Sequence, residues 1–114
     1  VFLLDAETAK DMTSGLTWQR HVPASSYDYS AATAYCENLA IAAGDWRLPS
    51  FKELQTIYDL SYSPKLDPVA FPNTPQDEFW TSTEHSTGYQ LTLGFYGGQG
   101  SRQLDELVRV RCVR

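Results

Sequence analysis

The sequence predicts an α+β domain. Two observations carry that expectation. Alternating apolar runs fall near both ends of the chain, at Gly15–Arg20, Tyr89–Phe95 and Leu107–Val113. Between them stand two helix signatures, one opening after Asp28 and one after Ser50. Strands at the ends with helices in the middle are segregated, not alternating, which is the α+β arrangement. At 114 residues, with three Trp and seven Tyr, the chain is long enough to bury a core and reads as one domain over 1–114.

Taken in order, Phe2-Leu3-Leu4 is a short apolar strand, and the polar run Asp5–Ser14 reads as turns. Gly15–Arg20 alternates, with Leu16 and Trp18 on one face and Thr17 and Gln19 on the other, as a half-buried strand does. A loop around Pro23 and Ser25-Ser26 leads to Asp28, a good N-cap. The helix that follows is expected to run to about Ala40, with Tyr29, Ala32, Thr33, Cys36 and Leu39 on one face. Gly44 marks the end of that unit. Trp46-Arg47-Leu48 is extended, because Pro49 disfavours the helical region at Leu48. Ser50 and Glu53 then form a capping box: the Ser50 hydroxyl accepts from the Glu53 N–H, and the Glu53 carboxylate reaches back to the Ser50 N–H. Phe51, Leu54, Ile57 and Tyr58 share a face of this second helix, expected to reach about Leu60.

Residues 61–78 carry Pro64, Pro68, Pro72 and Pro75, which exclude helix and make a central strand improbable. Leu66, Val69 and Phe71 suggest that this loop packs down on the surface. Phe79–Ser82 is β-rich. Tyr89, Leu91, Leu93 and Phe95 share one strand face, and Tyr96–Gly100 reads as a turn in which Gly97-Gly98 supplies positive φ. Leu107–Val113 is the last strand, with Val108, Val110 and Cys112 inward and Arg109 and Arg111 outward. Pairing of an N-terminal strand with this one brings the termini together.

Nine Lys and Arg against fourteen Asp and Glu give a net charge of −5. That argues against a nucleic-acid partner, whose phosphates need a basic face, and against binding anionic membranes by bulk charge. Arg102, Arg109, Arg111 and Arg114 crowd the C-terminus, which reads as alternate arginines on a solvent-facing strand. No run approaches the roughly 18 apolar residues of a membrane helix, so no membrane insertion is expected. The chain opens on Val1-Phe2-Leu3-Leu4 with no visible signal peptide, which suggests a processed part of a longer protein. The two cysteines, Cys36 and Cys112, suit one bridge tying the chain's end to its body; two buried free thiols are the alternative. A bridge implies an oxidising compartment: periplasm, cell surface or secreted.

Little in the sequence points to catalysis. His21 and His85 stand alone, with no second ligand at metal spacing. Ser82 and Thr83 lie near Glu84-His85, but no nucleophile-elbow glycines surround Ser82, and adjacency in sequence does not build a triad. Asp67, Asp77, Glu78, Glu84, Asp105 and Glu106 read as solvated carboxylates, not as a glycosidase pair. Asp77, Glu78 and Glu84 could offer oxygens to calcium but lack ligand spacing, so no metal site is expected. No glycine-rich phosphate loop joins a strand to a helix, so no cofactor is expected either.

Five ordered motifs carry a resemblance: Gly15-Leu16-Thr17-Trp18; Tyr35-Cys36-Glu37-Asn38-Leu39; Asp45-Trp46-Arg47-Leu48-Pro49-Ser50-Phe51-Lys52-Glu53-Leu54; Phe79-Trp80-Thr81-Ser82-Thr83; and Val110-Arg111-Cys112-Val113-Arg114. Together they resemble the bacterial family named after the C-terminal domain of a Legionella collagen-like surface protein, over nearly the whole chain. The resemblance implies a C-type-lectin-like fold: two helices packed on a small, mostly antiparallel looped sheet, with N- and C-termini adjacent. It also implies a bridge from the first helix to the last strand, positions that Cys36 and Cys112 occupy. The function implied is an extracytoplasmic recognition module, adhesin-like, for glycan or another cell-surface ligand, and not an enzyme. In this fold the ligand surface comes from loops joining the later strands. That points to 84–89 and 96–102, with Tyr96, Gln99 and Arg102 as ligand-binding candidates. The acidic-Pro-Asn loop and Trp-Asn-Asp strand of calcium-dependent sugar binders are absent. The Arg47-Leu48-Pro49 and Val110-Arg111-Cys112 stretches also resemble the formylglycine-generating relatives of the fold, but those use an active-site cysteine pair. The alternative function is a protein–protein or oligomerisation domain, a homo-oligomer in which Tyr62, Phe71 and Tyr89 are buried between subunits.

Overall fold

The computed structural model describes residues 1–114 and divides the strands between two antiparallel sheets. The first, in order β1-β2-β3, contains β1 (Phe2–Leu4), β2 (Thr8–Asp11) and β3 (Thr17–Gln19). Strand β2 lies inside the run expected to be all turns. The reason is that its polar residues make the turns on either side of a short strand. The Asp5 carboxylate accepts from the N–H groups of Glu7 and Thr8, and the Asp11 carboxylate accepts from Thr13. Gly15, at φ +79°, then lets the chain return as β3.

Helix α1 spans Tyr29–Glu37, and Asp28 caps it as expected, accepting from the Ala31 N–H at 2.8 Å. It stops short of Ala40. The chain instead turns through Ile41–Ala43, where Ala42 and Ala43 both take positive φ. Helix α2 spans Phe51–Gln55 behind the predicted capping box, with Glu53 N–H to Ser50 Oγ at 3.1 Å and Ser50 N–H to Glu53 Oε1 at 2.9 Å. A further N-terminal N–H, that of Phe51, donates to the Thr83 hydroxyl at 2.9 Å, which ties the helix to the second sheet. The helix ends before Leu60 because Ile57 and Tyr58 donate three residues back, to Leu54 and Gln55, tightening the last turn. Phe51, Leu54 and Ile57 are buried, so the predicted face is the packed one.

The second sheet, in order β4-β5-β6, contains β4 (Glu78–Ser86), β5 (Tyr89–Gly94) and β6 (Gly98–Gln103). The turn expected over Tyr96–Gly100 occupies only residues 95–97, and Gly98 to Gly100 begin an edge strand. A glycine-rich polar run has no strand propensity of its own; here pairing with β5 along six residues imposes the conformation. The loop before β4 is irregular, as its prolines require. Leu66, Ala70 and Phe71 are buried, whereas Val69 is exposed. The Arg20 guanidinium fastens this loop by donating to the carbonyls of Val69 and Ala70. Because Phe71 is inside the core, it cannot contribute to a subunit interface, unlike the half-exposed Tyr62 and Tyr89.

The final segment is extended but does not form one ladder. Val108 exchanges backbone hydrogen bonds with Tyr27, Val113 with Arg47, and Arg114 with Thr17; Arg109 bonds Glu78 and Trp80, and Cys112 accepts from Gln19. The segment therefore runs between the sheets and between two apolar clusters. Val108, Val110 and Cys112 face the cluster of Ala32, Trp46, Leu48 and Trp80, while Val113 faces the larger cluster of Trp18, Leu54, Phe79 and Phe95. Cys36 and Cys112 are bonded across the smaller cluster, with Cα atoms 5.5 Å apart. Closing a loop of 76 residues is worth about 4–5 kcal/mol in the chain-entropy account.

Arg111 is fully buried, so the outward placement expected from alternation is wrong. Alternation implies solvent on one side only for a half-covered strand, and here both sides are covered. Its Nη1 donates to the carbonyls of Gln19 at 2.6 Å and Arg20 at 2.9 Å, and Nη2 donates to the Thr74 hydroxyl at 3.2 Å. The guanidinium also lies 4.7 Å from the Phe71 ring centroid and 5.7 Å from that of Phe79. Burial pushes its pKa down to about 9, still above neutrality, so the group is charged with no carboxylate partner. We predict that Arg111→Lys loses about 2 kcal/mol in urea unfolding, because an ammonium cannot span both carbonyls, the hydroxyl and two rings. A solvent-facing arginine would lose less than about 0.5 kcal/mol.

Candidate functional site

The β5–β6 turn and the residues just before β4 face each other across an open cleft of about 280 Å³. Tyr96, Gln99 and Arg102 all line it, so the structure brings the three predicted ligand residues together. Tyr96 sits half-exposed in the turn, and the Gln99 side chain is exposed on the edge strand. The opposite wall is Gln76, for which the sequence offers no signal, with Asp77 and Glu78, expected only to be solvated carboxylates. Their signal was weak because they belong to the end of a proline-rich loop, whose position no periodicity fixes.

The other predicted loop is not part of this site. Residues 84–89 close the β4–β5 hairpin at the far end of β5. Six residues of strand separate the two loops, roughly 17–20 Å. Tyr89 instead accepts a hydrogen bond at its hydroxyl from Gln103. His85 is exposed on β4, and Thr83 serves α2 as described.

Arg102 does not stand free in the cleft. It donates from Nε and Nη2 to the two oxygens of Glu78, at 3.1 and 2.6 Å, and from Nη1 to Glu106 at 3.2 Å. The Thr92 hydroxyl completes the group with a very short bond to Glu78 Oε1. Glu78, Thr92 and Arg102 share one face of the second sheet, with β5 between the Glu78 and Arg102 strands, and Gly100 lies two residues before Arg102 on that face. A Cβ at Gly100 would stand 2.7 Å from Glu78 Oε1 and 2.9 Å from Thr92 Oγ1. A side chain there would displace the Glu78 carboxylate from Arg102, so glycine is favoured by space and not by backbone conformation. The Arg102 hydrogen bonds hold the Glu78 carboxyl below the usual carboxylate range, and the same contact raises the Arg102 pKa. Arg102 thus positions the cleft wall and offers little free charge. Asp77 pairs with Arg109, Nε to Oδ2 at 3.0 Å, and remains the most solvent-open of the carboxylates in these pairs.

A larger cleft of about 380 Å³ lies between β1 and the chain after α2. Its carboxylates have local tasks: Asp11 accepts from Thr13, Asp59 from Ser61, and Asp67 from Val69. Such bonds make turns.

Residues 7–114 match the family model of the Lcl C-terminal domain. The chain belongs to this family. No curated protein matches the sequence. Two of the motifs quoted above belong to the folded core and do not line the cleft: Trp46–Leu54 supplies the capping box and its buried entry, and the Cys112 stretch supplies the bridge and the buried Arg111.

The Glu78–Arg102 pair sets a pH dependence whose sign follows from its direction. The Glu78 and Glu53 carboxyls are both held below the usual carboxylate range, Glu78 by Arg102 and Glu53 by Arg47. Their contribution is complete above about pH 4.5 and disappears as pH falls through the lowered folded values. We expect Glu78→Gln and Gly100→Ala each to lower the thermal midpoint at pH 7, by an amount equivalent to about 1 kcal/mol. Each difference from the parent protein should shrink below pH 4.5. A difference that stays constant from pH 7 to pH 3 would show that the pair does not operate.

Proposed function

We propose that this member of the Lcl C-terminal domain family is a non-catalytic recognition module, secreted, periplasmic or surface-displayed, that binds glycan in the cleft beneath the β5–β6 turn. The convergence of Tyr96, Gln76, Gln99 and Asp77 on one open cleft carries this reading. An aromatic ring covers the apolar face of a sugar, while amides and a carboxylate bond its hydroxyls. The amides of Gln76 and Gln99 are exposed and make no hydrogen bonds within the domain, so they are available to a ligand. No group of three or more His, Cys, Asp or Glu side chains is arranged to hold a metal ion, so recognition is taken to be metal-independent.

We further take the arrangement to be C-type-lectin-like. Its two helices and its bridge from the first helix to the last segment agree with that fold, although the strands form two small antiparallel sheets where one was expected. The bridge also favours an oxidising compartment. No helix is long and apolar enough to cross a membrane. The second reading, an assembly domain, draws on exposed Val1 and Leu3 on the edge strand β1, with exposed Met12 beside Val1.

A glycan array probed with the disulfide-intact domain, with calcium and again with chelator, tests the first reading. The expected result is chelator-resistant binding that Tyr96→Ala reduces at least tenfold, a loss of about 1.4 kcal/mol or more, while Tyr89→Ala retains it. Binding that needs calcium, or that survives Tyr96→Ala, contradicts it. A stable oligomer in sedimentation, with no glycan bound, supports the assembly reading.

A further inference from the structure

We propose that the glycan chain straddles the free edge of β6, and that a second sugar-binding depression, walled by Gln55 and Tyr58, receives it on the far side. This rests on the glycan reading above and concerns how much of a chain the domain holds. The second depression has a volume of about 230 Å³ and is lined by Phe51, Gln55, Tyr58, Leu93, Gly98 and Gln99. Gly98 and Gln99 also line the Tyr96 cleft, so the two depressions meet at these residues. Strand alternation sets them on opposite faces of the second sheet, with Glu78 and Arg102 on one face and Leu93 on the other.

The chemistry of the first cleft recurs in the second. Phe51 and Leu93 are buried and give it an apolar floor. Tyr58 is half-buried and packs on Phe95, with ring centroids 6.0 Å apart. Gln55 is exposed at the end of α2. Neither the Tyr58 hydroxyl nor the Gln55 amide is hydrogen-bonded within the domain, so both are open to sugar hydroxyls.

The backbone between the two depressions is unpaired. The Gln103 N–H donates to the Glu106 carboxylate at 2.7 Å, and the Gln103 carbonyl accepts from the Glu106 N–H at 3.1 Å. Both groups therefore face away from β5. In an antiparallel ladder every second residue does so, and the β5–β6 register is unbroken. The N–H and C=O groups of Gln99 and Ser101 thus point out from the edge as well, where no further strand meets them. Gly98 adds no side chain at the crossing, and a Cβ there would meet no atom within 4 Å. A chain crossing this edge finds backbone donors and acceptors at the middle, and a tyrosine with a glutamine amide on each side.

Titration calorimetry on the disulfide-intact domain tests this with di- and tetrasaccharides of two series. One is β-1,4-linked N-acetylglucosamine, and the other alternates glucuronate with N-acetylglucosamine. Any other chain that the array retains is compared at the same two lengths. In a series that binds, the tetrasaccharide is expected to bind at least tenfold more tightly than the disaccharide. Gln55→Ala, at an exposed position, should leave the thermal midpoint in place. It should cut tetrasaccharide affinity about three- to tenfold, the size of a lost hydrogen bond, and leave the disaccharide unchanged. Tyr58→Ala should remove most of the gain with length, and its thermal midpoint is measured alongside because the ring packs on Phe95. Tyr96→Ala should weaken both lengths. Equal affinity of the two lengths, or a length gain that survives Gln55→Ala and Tyr58→Ala, overturns the second depression and leaves the Tyr96 cleft standing. Equal weakening of both lengths by Gln55→Ala overturns the straddled edge. Binding of no chain, in calorimetry or on the array, overturns the glycan reading itself.

Discussion

The segment from Val108 to Arg114 is the constraint on which the rest of this structure depends. Neither sheet is large, and each has three strands. Two such sheets with two short helices would bury too little surface to fix their mutual position. The last seven residues solve this by bonding, in turn, to the chain before α1, to β4, to β3 and to the chain before α2. Each bond satisfies a backbone group that would otherwise be buried unpaired. The disulfide and the Arg111 guanidinium act on the same segment from opposite sides. Cys112 draws α1 against the smaller apolar cluster, and Arg111 draws β3, the proline-rich loop and Phe79 against the larger one.

This arrangement also places the cleft. Glu78 and Trp80 are bonded to Arg109, and Asp77 is paired with the Arg109 side chain, so one wall of the cleft is anchored to the terminal segment. The other wall belongs to the β5–β6 hairpin, whose strand β6 is a free edge. The Arg102–Glu78 pair spans β5, close beside Gly100, and joins the two walls. The result is a cleft whose frame is held by ion pairs while its amides, one tyrosine and one carboxylate face solvent.

What the sequence showed followed from local chemistry. Asp28 and the Ser50–Glu53 capping box specify their helix starts through bonds made within three residues, and both were readable. The proline-rich loop was readable for a similar reason, and the cysteine pair because the chain holds only two cysteines, although they lie 76 positions apart. The failures share a different cause. β2 is framed by turns and β6 is glycine-rich, so each owes its state to pairing with a neighbouring strand, while Arg111 follows an alternating pattern but owes its burial to partners distant in sequence. The candidate site divides in the same way. Tyr96, Gln99 and Arg102 lie within one hairpin, so choosing that loop gathered them together. Residues 84–89 lie at the other end of β5, and the bond between Arg102 and Glu78, which converts a ligand candidate into a wall-positioning residue, spans 24 positions.

Native-state amide hydrogen exchange tests the central claim most directly. If the terminal segment joins the two sheets into one cooperative unit, the amides of Tyr27, Arg47, Trp80, Val108, Arg109 and Val113 exchange only through global unfolding. They then share one opening free energy and one dependence on denaturant. If the amides bonded to β4 opened separately from those bonded to the chain before α1 and α2, with distinct free energies, the segment would be a passive passenger and the account would be wrong.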